Sequence, residues 1–139
     1  MKTVEVQMDL DPVNDGVKEI NGEKLYVKEE KTLIISTDGR SRTAGFLETM
    51  EIANKLRENC HGEFLGKTPY IMLINGNKII KLETGTFFVG TAMIMKDEGD
   101  GRRMGSLRDE EIKQAEEEFK KRLVTLAGNG QEFPAYPLI

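Results

Sequence analysis

The sequence predicts an α+β fold, a predominantly antiparallel sheet of about five to seven strands with two amphipathic helices packed on one face. Three observations carry that reading. Short apolar or alternating runs bounded by Gly, Asn and Asp fill most of the chain, two stretches switch to a helical period, and the early connections are too short for the crossovers of a parallel sheet. No GxGxxG follows a first strand, which sets a dinucleotide-binding fold aside.

Residues 3–10, TVEVQMDL, place Val4, Val6, Met8 and Leu10 on one side of a half-buried strand. DPVNDG at 11–16 reads as a turn. VKEI and EKLYVKE then flank Asn21-Gly22, a pair that accepts the positive φ of a type I′ turn, so a hairpin is expected. TLIIST at 32–37 is the next strand, stopped by Asp38-Gly39. From Thr43 to Cys60 the period is helical, with Phe46, Met50, Ala53, Leu56 and Cys60 on one stripe, Thr43 as N-cap and Asn59 with Gly62 closing the end. TPYIMLI at 68–74 is a strand with Pro69 at its start, and Asn75-Gly76 is read as a second hairpin turn before NKIIKLE.

TGTFFVGTAMIMKDE at 84–98 is the most sheet-like stretch, and Gly90 within it marks a bulge or a close backbone approach. After GDGRRMG at 99–105, Ser106 is expected to start the second helix, with Asp109 at the N3 position of a capping box. Its stripe is Ile112, Ala115, Phe119, Leu123 and Leu126, and Gly128 or Gly130 ends it. Glu116, Glu117 and Glu118 stand four residues before Lys120, Lys121 and Arg122, which is ordinary stabilisation of a solvated helix face.

A chain of 139 residues is read as a single domain, 1–139, large enough for a core without disulfides or a structural metal. INGEKLYVKEEKTLIIST at 20–37 superposes on INGNKIIKLETGTFFVGT at 74–91, which suggests an internal repeat of 1–62 and 68–128 followed by an apolar C-terminal tail, 129–139. Hairpins that reuse Asn-Gly and strands that reuse Thr give the same likeness without ancestry.

With 20 Lys and Arg against 24 Asp and Glu, the net charge of −4 gives no global pull toward nucleic acid or an anionic membrane. Neither a recognition-helix signature nor an aromatic-basic strand motif is present, so a nucleic-acid-associated accessory role is the weakest alternative. The single cysteine, Cys60, excludes an intramolecular disulfide; it is expected at the end of the first helix, with His61 near its C-cap and the two facing different ways. One histidine and one cysteine build no familiar metal site, and Asp97, Glu98 and Asp100 lack EF-hand spacing, so no metal and no cofactor are expected. No Walker loop, HExxH, CxxC or GxSxG names an enzyme class. The chain contains no apolar run of about 20 residues and no signal-peptide pattern at its start, hence a cytoplasmic location with no membrane partner is expected.

Two loops remain as candidates for chemistry. TDGRSRT at 37–43 and GDGRRMGS at 99–106 precede the expected helices, where backbone N–H groups attract anions. Arg40, Arg42, Arg102 and Arg103 offer bidentate donors, and Thr43 and Ser106 offer hydroxyls. Solvated turn arginines are the plainer reading. In the tail, Phe133, Tyr136, Leu138 and Ile139 either dock on the chain's own core or form an interface with a second copy. The expectation is a small non-catalytic binding or regulatory protein that self-associates as a homo-oligomer. The alternative is a small enzyme or ligand-binding domain that holds a small anionic ligand, a phosphorylated or carboxylated compound, at the loop arginines.

Overall fold

The chain enters a first hairpin, β1 (Gly16–Ile20) with β2 (Glu23–Val27), whose innermost pair is Ile20 and Glu23. The computed structural model describes residues 16–20, 23–27, 31–98 and 104–138. The expected strand at 3–10 and the Asn21-Gly22 turn lie outside the described residues, as do Arg102, Arg103 and Ile139. Beyond the hairpin come β3 (Thr32–Ser36), β4 (Ser41–Ala44), α1 (Phe46–Leu56), β5 (Cys60–Phe64) and β6 (Tyr70–Asn75). A 3-10 turn over Gly76–Lys78 leads to β7 (Ile79–Leu82), β8 (Gly85–Phe88), β9 (Thr91–Asp97) and β10 (Met104–Gly105). The chain ends with α2 (Asp109–Arg122), β11 (Val124–Gly128) and β12 (Gln131–Leu138).

The fold is α+β, and the strand pairs are antiparallel. The strands divide into two main sheets where one of five to seven strands was expected. The first has the order β4-β3-β9-β6-β5, with β10 also on β9, and the second has the order β11-β12-β8-β7. Among the described residues the chain passes between them three times, at Asn75-Gly76, at Gly90 and through α2. Asn75-Gly76, expected to make a hairpin, instead caps the 3-10 turn: Asn75 Oδ1 accepts from the Asn77 N–H at 2.8 Å, and the Gly76 N–H donates to the Asn59 carbonyl at 2.6 Å. A Cβ on Gly76 would sit 3.1 Å from that carbonyl oxygen, so glycine serves close approach here. Gly90 leads back to the first sheet with φ +150°, and it exchanges hydrogen bonds with the Thr37 backbone and hydroxyl. The expected strand 84–98 is therefore two strands in two sheets. The two segments superposed in the sequence are used differently: Glu23–Val27 pairs with Gly16–Ile20, whereas 74–82 is a passage between sheets.

The helices cover opposite faces of the first sheet, where one shared face was expected. Leu33 and Ile35 of β3, Ala92 and Ile94 of β9, and Tyr70, Met72 and Ile74 of β6 share a core with Ala115 and Phe119 of α2 and with Phe88 and Tyr136 of the second sheet. Ile34 and Met93, of the other parity, pack with Ala44 and with Ile52 of α1. The physical reason is visible in β3, where Thr32, Leu33, Ile34 and Ile35 are all buried. A strand with no polar face must be covered on both sides.

Three boundaries also differ. Residues 41–44 are a strand edge, so Thr43 caps nothing and Gly45 stands at the N-cap of α1. That helix ends at Leu56, which puts Cys60 and His61 on β5. α2 begins at Asp109, with Arg108 at the N-cap and Glu111 at N3 accepting the Arg108 backbone N–H at 2.9 Å. Ser106 instead accepts the Lys31 backbone N–H at 2.7 Å. The helix closes at Arg122, because Val124–Gly128 form β11. Asn129 (φ +52°) and Gly130 (φ +75°) then make the type I′ geometry of a two-residue hairpin, pairing Gly128 with Gln131.

Candidate functional site

A cleft with unspent chemistry lies where four parts of the chain meet. Its walls are Glu63 and Phe64 of β5, Gly66, Arg122 at the end of α2, and Tyr136 and Pro137 of β12, around a volume of about 230 Å³. Register explains the approach of Glu63: it pairs with Met72, and alternation on the edge strand β5 turns both toward the α2 side of the sheet. After β5 the chain tightens. The Leu65 N–H donates to the Tyr70 carbonyl at 2.9 Å, the Thr68 hydroxyl to the Leu65 carbonyl at 2.7 Å, and Leu65 itself is buried. Gly66 takes φ +59°, and a Cβ there would overlap Arg122 Nη2 at 1.9 Å. The absent side chain is what lets the guanidinium lie over the loop.

Tyr136 is fixed from behind by Phe119, with ring centroids 5.0 Å apart and planes 24° from parallel, a pairing worth about 0.5–1.5 kcal/mol beyond burial. Burial pushes its phenol up to about 12; Glu63 and Glu118 add to the shift and Arg122 opposes it. The hydroxyl is thus neutral at ordinary pH. Arg122 Nη2 donates to Glu118 Oε1 at 3.4 Å. Glu63 Oε2 and Arg122 Nε are both buried atoms with no hydrogen-bond partner among the described residues. Orphaned polar atoms of this kind cost about 1–3 kcal/mol each, and more when charged. The cleft is therefore lined by one carboxylate-bearing and one guanidinium-bearing residue beside apolar walls.

The expected arginine site is built differently. Arg40, Arg42, Ile34, Ser36, Ser41 and Thr91 line a second cleft of about 260 Å³. Both guanidinium groups are already engaged. Arg40 bonds Asp38 through Nε at 2.9 Å and its backbone N–H at 3.0 Å, which lowers the Asp38 carboxyl. Arg42 makes a two-pronged pair with Glu48 of α1, at 2.9 and 2.5 Å. Arg42 pairs with Ile34 and Thr43 with Leu33, so those two side chains leave opposite faces of β4 and do not converge. Ser41 follows Thr43 and bonds Glu116 of α2 at 2.7 Å. The loop 37–40 joins β3 to β4 and does not open a helix, so no helix N-terminus stands at that loop.

In the tail, Tyr136 is buried, Leu138 packs against the core and Phe133 is half-buried opposite Leu126. Both prolines fit the strand because its first half pairs only with β11 and its second only with β8, which leaves an open side for each missing N–H. Cys60 and His61 point to opposite faces of β5, and desolvation raises the Cys60 thiol, the reverse of an activated nucleophile. Among the described residues no three His, Cys, Asp or Glu side chains gather as a metal site, and no helix is long and apolar enough to cross a membrane.

Sequence reasoning missed the Glu63–Arg122–Tyr136 cleft. In the sequence Arg122 reads only as a partner of Glu118, and Glu63 lies in GEFLGK, 62–67, a connection bounded by glycines. The usable signal was that connection, GEFLGK, whose second glycine marks a left-handed loop. Comparison of the chain with protein-family models, curated proteins and solved structures gives no match.

Proposed function

We propose that the chain is a small non-catalytic binding protein that holds a small polar ligand in the cleft between β5, α2 and β12. One observation carries the reading: Glu63 and Arg122, of opposite charge, line one cleft, and each keeps a buried atom, Oε2 and Nε, with no hydrogen-bond partner among the described residues. Structural ion pairs satisfy their buried atoms internally, as Glu111 does with Lys96 and Arg108. A binding site leaves them for the ligand. Among the described residues no Cys, Ser, Thr or His lines the cleft, which favours holding over reaction. Thermal-shift measurement over a set of fragment-sized polar solutes, on the wild type and on Arg122→Lys, tests this. Stabilisation of the wild type that the variant loses supports it; equal responses from both proteins refute it.

Self-association is a second reading, supported by α1. That helix has no buried residue, and Leu47 and Met50 are 44% and 51% exposed. Sedimentation equilibrium of the wild type and of Leu47→Glu/Met50→Glu is expected to show an oligomer only in the former, and a monomeric wild type at about 100 μM would exclude it.

A further inference from the structure

We propose that this cleft takes a small zwitterion, an amino acid with an apolar side chain, its ammonium group on Glu63 and its carboxylate on Arg122. The inference rests on the binding reading above and names its ligand class. Glu63 and Arg122 carry opposite charges and line the same cleft, and each has one buried atom with no hydrogen-bond partner among the described residues. A simple anion satisfies Arg122 and is repelled by Glu63; a simple cation does the reverse. A solute bearing both charges meets both side chains with charge-assisted hydrogen bonds, which are roughly twice as strong as neutral ones.

Size and shape narrow the class. The volume of about 230 Å³ falls below the roughly 300–1,000 Å³ of drug-sized pockets, which limits the occupant to a single ring or a branched chain. Phe64, 43% exposed, and Pro137 supply an apolar wall, and the Tyr136 ring is held rigid by Phe119. Arg122 is held as well: Glu118 takes Nη2 and Gly66 makes room for the guanidinium.

The test titrates three probes into the full chain by calorimetry, with the Tyr136 ring protons followed by NMR. L-phenylalanine carries both charges, phenethylamine lacks the carboxylate and 3-phenylpropanoate lacks the ammonium. L-phenylalanine is expected to bind saturably and shift Tyr136, with each analogue at least about tenfold weaker because it leaves a charged atom unmet. Glu63→Gln should weaken L-phenylalanine but not 3-phenylpropanoate, and Arg122→Lys should weaken it but not phenethylamine. The probe series on the wild type stands alone if a variant fails to fold. An analogue that binds as tightly as L-phenylalanine overturns the zwitterion. If neutral 2-pyrrolidinone shifts Tyr136 and L-phenylalanine does not, the ligand class falls while the binding reading stands; if no solute shifts Tyr136, both fall.

Discussion

Glu111 is the most informative single group for the stability of the fold. It sits in the first turn of α2 with its side chain 7% exposed, 2.6 Å from Lys96 Nζ on β9 and 3.3 Å from Arg108 Nε. Burial alone pushes its carboxyl up, but the donors from Lys96 and Arg108 outweigh it and hold the group at about 2 instead of 4.5. A carboxyl with a lower pKa in the folded chain stabilises the fold above its unfolded value and loses that contribution as the pH falls through the folded one. The difference amounts to about 3 kcal/mol at neutral pH and about 1.5 kcal/mol at pH 3. Glu111→Gln removes it and leaves the Lys96 ammonium without its carboxylate. The variant is expected to lose about 3 kcal/mol at pH 7, or about 10 °C in Tm for a chain of this length. The gap to the wild type should halve by pH 3. Urea unfolding followed by circular dichroism at both values measures this. A gap under about 1 kcal/mol at pH 7, or one that is the same at pH 3, refutes the assignment of the pair as the tie between α2 and the sheet.

Other predictions follow from packing and backbone. Phe119→Ala removes a fully buried ring and its stack on Tyr136, so denaturant unfolding should show a loss of about 3–5 kcal/mol. Gly90→Ala forces a side chain to φ +150° and places its Cβ 3.3 Å from the Phe88 ring; a cost of about 1–3 kcal/mol is expected in the same assay, and a neutral result would count against the passage between sheets. Tyr136 should ionise near pH 12, and the ultraviolet titration of Tyr136→Phe should lack that late step. Because its folded value lies above the ordinary 10.0, this contribution to stability is present below pH 10 and is lost as the pH rises toward 12.

Much of the fold was legible in the sequence because period reports burial directly. The helical stripe Ile112, Ala115 and Phe119 and the strands at 32–36 and 70–75 stand where their patterns put them. What misled was punctuation. Asn-Gly is a hairpin signal only when the flanking strands share a sheet; Asn75-Gly76 joins strands of different sheets, while Asn129-Gly130, read as a helix end, is the I′ turn. Leu126 continued the spacing of α2 yet belongs to β11, since Leu123 takes extended φ and ψ and Val124 begins a strand. The unbroken apolar run of β3 carried a signal for cover on both faces, and it was read only as a strand. The cleft was illegible for a different reason. It depends on Glu63, Arg122 and Tyr136 meeting across long stretches of chain, and on Gly66 giving way to a guanidinium, none of which is local.

The claim that this cleft binds a small polar ligand meets its most direct test in the Nε–H resonance of Arg122. That signal is followed in the nitrogen-15-labelled protein while fragment-sized polar solutes, L-phenylalanine among them, are titrated in. A saturable shift of the Arg122 signal, with the Tyr136 ring moving over the same concentrations, is the predicted result. An Arg122 signal that stays fixed through every titration, or shifts confined to Arg40 and Arg42, would contradict it.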